Sequence, residues 1–228
     1  MTALWIPPVY GDTGACVRLL REYFTRQRAK GGPYYTGAHF ERLAGGGDRP
    51  ETADRFTADD LLAITMLSVS VEPHGAVELL TDPDGHWHRL LAAIPRDARL
   101  EDPSRAPLIA PGGPAAELWE RLANPHGTYP GKPDGVGPVV AGKLLARKRP
   151  HLVPVYDVRV KALFRRPKVD GTFWSALADA LRADGGALRT RLVELRAEAG
   201  IGEDIGVLRV LDVIAWMHRD GVGPAAAG

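Results

Sequence analysis

The chain has little cysteine, no long apolar run and almost no net charge, and each lack removes a class of function. One cysteine in 228 residues, Cys16, excludes an internal disulfide and any four-cysteine metal or iron–sulfur site. No apolar stretch approaches the roughly eighteen residues a membrane span needs, so no membrane contact is expected. The opening run Met1–Pro8 lacks the basic and long apolar regions of a signal peptide, which predicts a cytoplasmic location. No Walker or dinucleotide Gly-rich loop occurs, and Ser68 and Ser70 have no nucleophile-elbow glycines around them. His86 and His88, with Asp82 and Asp84 nearby, are the only close histidine pair and read as the start of a surface helix. No metal and no cofactor are therefore expected.

What is present is an apolar fraction of 45%, enough for a buried core, and a periodicity that is mostly helical. Helices are expected over 13–29, from Thr57 until Pro73 breaks it, through Val77–Leu80, over Trp87–Ile94 and over 114–123. Further helices are expected from Gly137 to the Arg147-Lys148-Arg149 triplet, from Asp157 to about Phe164, over 170–182, over about 187–199 and over about 204–218. Thr13 is the expected cap of the first. Residues 30–56 are Gly-rich and irregular, 95–113 read as a linker or surface loop, and the tail 221–228 reads as disordered. No series of alternating strands appears. The expectation is an all-α chain, a single domain over 1–228, with two helical lobes at about 1–113 and 114–220.

Charge is distributed unevenly. Between Gly131 and Lys168, ten Lys/Arg face only Asp134 and Asp157, a local +8 (10 − 2) in a chain of net +1. Such a concentration suits a phosphate backbone; a solvated basic helix end is the plain alternative for the triplet alone. Within this segment Gly135 and Gly137 flank Val136, and Pro138 follows at a first helical position, where its missing N–H is not needed. The free amides near Gly137, Val139 and Val140 are placed to bind a phosphate oxygen. The apolar helix carrying Ala141, Leu144 and Leu145 ends in the triplet. An extended run, Leu152-Val153-Pro154-Val155, then delivers Tyr156 and Asp157. Asp157 also suits an N-cap for the helix from Val158.

The pattern G-V-G-P-x-x-A-x-x-L-L, followed by P-V-x-D with twenty residues from Gly137 to Asp157, resembles the helix-hairpin-helix superfamily of base-excision DNA glycosylases. The resemblance covers about twenty-eight residues. The whole chain also resembles a family of uncharacterised actinobacterial proteins with the same GVG…LLARKRP…PVYD core. It implies a bilobal helical fold, DNA as partner, a hairpin that grips the backbone and Asp157 as catalytic carboxylate. Gly135, Val136, Gly137, Val139, Val140, Lys143, Arg147, Lys148 and Arg149 are the implied backbone contacts.

Bifunctional members carry a Schiff-base lysine two residues after the second hairpin glycine. That position is Val139 here, so no lysine-dependent lyase is expected. Pro133-Asp134 replaces the family's usual Leu-Pro or similar pair before the hairpin, and Tyr156 stands where many members have a smaller or aliphatic residue. A flipped base needs a pocket, for which Tyr156, Tyr129 and Trp119 are the first candidates, followed by Trp87, Tyr34 and Tyr35. The expected activity is a monofunctional glycosylase for a modified or damaged base, in repair or anti-phage defence, with no obligate protein partner. A non-catalytic helix-hairpin-helix DNA-binding module and a helical domain that binds an acidic protein partner are the alternatives.

Overall fold

The computed structural model of the chain describes residues 3–124, 132–167 and 170–218. It is all-α. Among the described residues ten α-helices follow one another: α1 Thr13–Thr25, α2 Ala58–Thr65, α3 Pro73–Thr81, α4 His86–Ala92, α5 Ala106–Ile109, α6 Pro114–Ala123, α7 Pro138–Lys148, α8 Val158–Leu163, α9 Phe173–Ala199 and α10 Val207–Met217. The described residues contain no strand; an isolated antiparallel bridge joins Gln27 and Pro33. None of these helices is long and apolar enough to cross a membrane. The tail 221–228 lies outside the described residues.

Local chemistry explains most boundaries. The Asp12 side chain, rather than Thr13, caps α1 by accepting from Ala15 N at 2.9 Å. The helix stops at Thr25, short of the expected 29, because Arg26 turns into extended backbone. Thr57 and Asp60 form a reciprocal capping box at the start of α2. That helix ends at Thr65, and Ser68 takes a left-handed φ of 62°. Pro73 therefore opens α3 rather than terminating α2. The stretch 95–113 is not wholly a linker, since it contains α5. Helix α9 is interrupted at Ala183–Gly186, where four residues leave helical geometry.

One apolar cluster runs through the chain from Leu4 to Ala215. Helix α10 lies deep in it, with Leu208 to Ala215 all buried. Helix α7 packs against α6 and α2 through Ala141, Leu144 and Leu145.

The C-terminal end of α7 corrects the reading of the basic triplet. Arg147, Lys148 and Arg149 are 2%, 0% and 1% exposed. They face the interior, where a DNA backbone does not reach. Arg147 pairs with Asp60 (Nε–Oδ1 3.2 Å) and donates to the carbonyls of Phe40, Glu41 and Leu43. Lys148 Nζ donates to Asp60 Oδ2 at 2.9 Å and to Thr52 O at 2.7 Å. Arg149 donates to the carbonyls of Ala53, Leu91 and Ile94 and to Asp54 Oδ1.

The physical reason lies in the partner segment. Between Phe40 and α2 the chain makes turns and one short 3₁₀ helix, Leu43–Gly45, so carbonyls such as those of Phe40, Glu41 and Ala53 belong to no α-helix or sheet ladder. Three long cations supply the donors. Burial lowers the pKa of Lys148 and of Arg149, opposed by Asp60 and Asp54 respectively.

Candidate active site

The turn that leads into α7, over residues 132–137, is narrow and specific. Val136 is fully buried and its N–H donates to Pro133 O at 3.3 Å. Lys132 Nζ donates to the Val136 carbonyl from outside, at 3.2 Å. Gly135 has φ +73°, and a Cβ there would lie 2.5 Å from the Glu72 backbone nitrogen. Both the left-handed geometry and the close approach require glycine. Gly135→Ala is expected to cost about 1–3 kcal/mol, read as a lower urea midpoint. Gly137 caps α7 in extended geometry with open space around its Cα. Trp119 on α6 donates from Nε1 to Pro138 O at 3.2 Å, tying the two helices together beside the turn.

Twenty residues on, Asp157 occupies the N-cap of α8. Its Oδ1 accepts from Arg159 N at 2.9 Å and Val160 N at 3.1 Å. The half-buried carboxylate also lines a cavity of about 470 Å³. The cavity reaches back to α7 through Val139 and Lys143. A larger groove of about 670 Å³ runs along α1 past Arg18 and Arg21, but it lies open to solvent and holds none of these residues.

The cavity wall is aromatic. Tyr23 and Tyr35 stack with centroids 5.2 Å apart and planes 12° apart, and Trp216 meets both edge-on. Tyr34 meets Tyr35 edge-on at 5.0 Å. Two arginines lie on these rings: Arg159 over Trp216 at 4.4 Å and Arg26 over Tyr34 at 3.8 Å. Both are exposed on their other side. The cavity thus combines flat apolar faces, which suit a planar ring, with cations at its rim.

Three of its charged members, Lys143, Arg209 and Asp212, are buried. Lys143 is 5% exposed and donates to Leu67 O at 2.7 Å, so it is neither a surface phosphate contact nor a solvent lysine. Burial lowers its pKa, while Asp157 and Asp212 favour its charge. Arg209 on α10 donates to Asp212 Oδ2 at 2.7 Å, to Tyr23 Oη at 2.6 Å and to Gly37 O at 3.0 Å. Its Nε stands 3.0 Å from Glu41 Oε1.

The first-choice pocket aromatics lie elsewhere. Tyr156 stacks on Phe173 at 3.8 Å, its hydroxyl donates to Asp170 Oδ2, and it does not line the cavity. It points away because residues alternate sides along the extended run that precedes Asp157. Trp119 is held between α6 and α7, and Trp87 is in the core. Tyr129 lies outside the described residues.

Tyr34 and Tyr35, named from the sequence, are in the wall; Tyr23, Trp216, Arg209 and Asp212 were not anticipated. Tyr23 and Trp216 read as ordinary helical core positions, and only packing over 193 residues of chain (216 − 23) brings them together. Arg209 and Asp212 carried a local signal, an i,i+3 ion pair within an otherwise apolar helix.

No curated protein and no solved structure matches the chain. Residues 16–219 match DUF6308, a family of unknown function, and the chain belongs to that family.

Proposed function

We propose that the chain is a monofunctional DNA glycosylase that removes a modified or damaged base, in repair or in defence against phage. The observation that carries the reading is the cavity in which Asp157 meets the hairpin helix and an aromatic wall. The resemblance of the GVG…PVYD segment to helix-hairpin-helix glycosylases supports it too, because that spacing is a property of the sequence and not of the cavity.

The chemistry follows from the residues. A base turned out of the duplex stacks against Tyr35 and its neighbours. Cleavage of the N-glycosidic bond builds positive charge on the deoxyribose. The Asp157 carboxylate, held in place by two amides of α8, stabilises that charge and orients the incoming water. The amides of Gly137, Val139 and Val140 at the start of α7 and the rim cations Arg26 and Arg159 hold the backbone, whereas Val136, fully buried with its N–H given to Pro133 O, takes no part. Arg147, Lys148 and Arg149 have no part in that contact. Val139 stands where a Schiff-base lysine would be needed, so the product is an intact strand with an abasic site.

Duplexes bearing alkylated, deaminated, oxidised and phage-type modified bases test the proposal. The expected result is free base from at least one of them and strand breaks only after hot alkali. Release of no base from the whole set would reject it. The two cap bonds to Asp157 give the second reading its support, since they account for the carboxylate without catalysis. That reading, a DNA-binding module, requires salt-sensitive affinity with a slope of about −0.9 per phosphate contact and no base release.

A further inference from the structure

We propose that Asp212 is a second catalytic carboxyl of the cavity, holding the proton that the departing base takes. The inference rests on the glycosylase reading and extends it from the sugar to the leaving group.

Asp212 is 2% exposed, yet it lines the cavity that Asp157 also lines. Arg209 satisfies its Oδ2, while Oδ1 has no hydrogen-bond partner among the described residues. Across the same guanidinium lies Glu41, whose Oε2 is also buried and unpartnered. Two carboxyls therefore bracket one guanidinium where water is scarce. With both ionised, the trio would carry a buried negative charge, so the pair retains one proton.

The surrounding groups do not remove that need. Tyr23 from α1 takes a hydrogen bond from Arg209 and is itself pushed up to about 12, chiefly by burial. Tyr10 donates to Leu211 O and stays neutral, its pKa raised by burial. Asp157 adds negative charge from the start of α8. Lys143 from α7 is a second cation, but it is held by Leu67 and its charge is disfavoured by burial. Arg147 reaches the Glu41 carbonyl while its own ion pair is with Asp60. The outcome is an Asp212 carboxyl pushed up to about 8, with burial the largest cause and Arg209 opposing it. Glu41 is raised as well, again by burial first. Of the two, Asp212 is the one that lines the cavity.

The step balances as a hydrolysis. The C1′–N bond breaks and its electron pair stays with the base nitrogen. The Asp212 proton goes to the base, on a ring nitrogen or exocyclic oxygen. Water adds to C1′ and gives its proton to Asp157, and exchange with solvent resets both groups. A base that is already cationic, such as N7-methylguanine, leaves neutral without a proton and does not need Asp212. A neutral base does. The acid form exists below about pH 8. Release of a neutral base therefore falls above that pH, about tenfold per unit.

The test compares wild type, Asp212→Asn and Glu41→Gln on duplexes carrying hypoxanthine or N7-methylguanine, with ¹³C carboxyl titration of the same full-length proteins. Asp212→Asn is expected to slow hypoxanthine release at pH 7 by about 10²–10⁴-fold, with N7-methylguanine release within about threefold of wild type. Glu41→Gln keeps Asp212 but removes the competing charge, so it should move the alkaline decline to lower pH. That variant serves even if Asp212→Asn folds poorly. A carboxyl titrating near pH 8 should be present in wild type and missing in Asp212→Asn. Equal slowing of both bases in an active enzyme, or carboxyls that all titrate below about pH 6, would overturn the donor role alone. A wild type that frees no base from the whole duplex set, hypoxanthine and N7-methylguanine included, removes the glycosylase reading, and the donor falls with it; where wild type frees only another base, the presence or absence of a carboxyl titrating near pH 8 decides the donor.

Discussion

Asp157→Asn is expected to lower base release by about 10²–10³-fold, the usual loss when a group stabilising transition-state charge is removed. The fold should be nearly untouched. Asparagine caps helices about as well as aspartate, so the bonds to Arg159 and Val160 survive the change. Stability is expected to shift by a few tenths of a kcal/mol, and DNA affinity by little. Quantifying alkali-labile breaks beside urea denaturation of both proteins checks all three. The pairing of large kinetic loss with small structural loss is what separates a catalytic carboxylate from a cap. Equal stability with equal base release would leave Asp157 a cap and nothing more.

Asp60→Asn should do the reverse. Asp60 is the shared anion of Arg147 and Lys148 and also closes the α2 capping box on Thr57. Neutralising it strands two buried cations at once. Breaking a buried pair from one side costs about 3–5 kcal/mol, a large part of the total stability of an ordinary domain. The measurement is the urea midpoint, with Asp59→Asn in the same helical turn as the control. Asp59 has no such partners, and its loss of dipole stabilisation is worth under about 1 kcal/mol. A midpoint for Asp60→Asn close to that of Asp59→Asn would contradict the assignment of Asp60 as the anchor of the triplet.

These two aspartates mark where the sequence was legible and where it was not. The helices were readable because they are local: apolar positions recur at helical spacing, and Thr57, Pro138 and Asp157 are start signals within a few residues of the helices they open. The α9 interruption was readable for the same reason, since Asp184-Gly185-Gly186 sits inside an otherwise regular pattern. Asp157 and the Gly-Val-Gly turn belong to one short segment with fixed spacing, so their proximity to a common cavity required no long-range information.

The basic triplet misled because surface and interior arginines look alike locally. Its partner Asp60 lies 87 residues away (147 − 60), and nothing near Arg147 announces it. The cavity wall was hidden in the same way. Tyr23, Tyr34, Tyr35, Met66, Asp212 and Trp216 come from separate stretches of chain, each unremarkable by itself. A pocket assembled this way is a property of packing, and local patterns carry no record of it. The extended run before Asp157 did hold usable information, since adjacent residues there face opposite ways and Tyr156 could not share the Asp157 side.

Helix α7 touches three separate parts of this arrangement: the Gly-Val-Gly turn at Gly137, the cavity at Val139 and Lys143, and the 40–57 segment at Arg147 and Lys148. It therefore acts as a ruler between the turn and the segment next to the aromatic wall. A helix advances about 1.5 Å and turns about 100° per residue. One residue inserted between Gly142 and Leu145 would swing Arg147 and Lys148 away from Asp60 or carry the Gly-Val-Gly turn off its seat. The length of α7 is thus fixed in whole residues, while the Pro- and Gly-rich connections around it can change without altering the distance it sets.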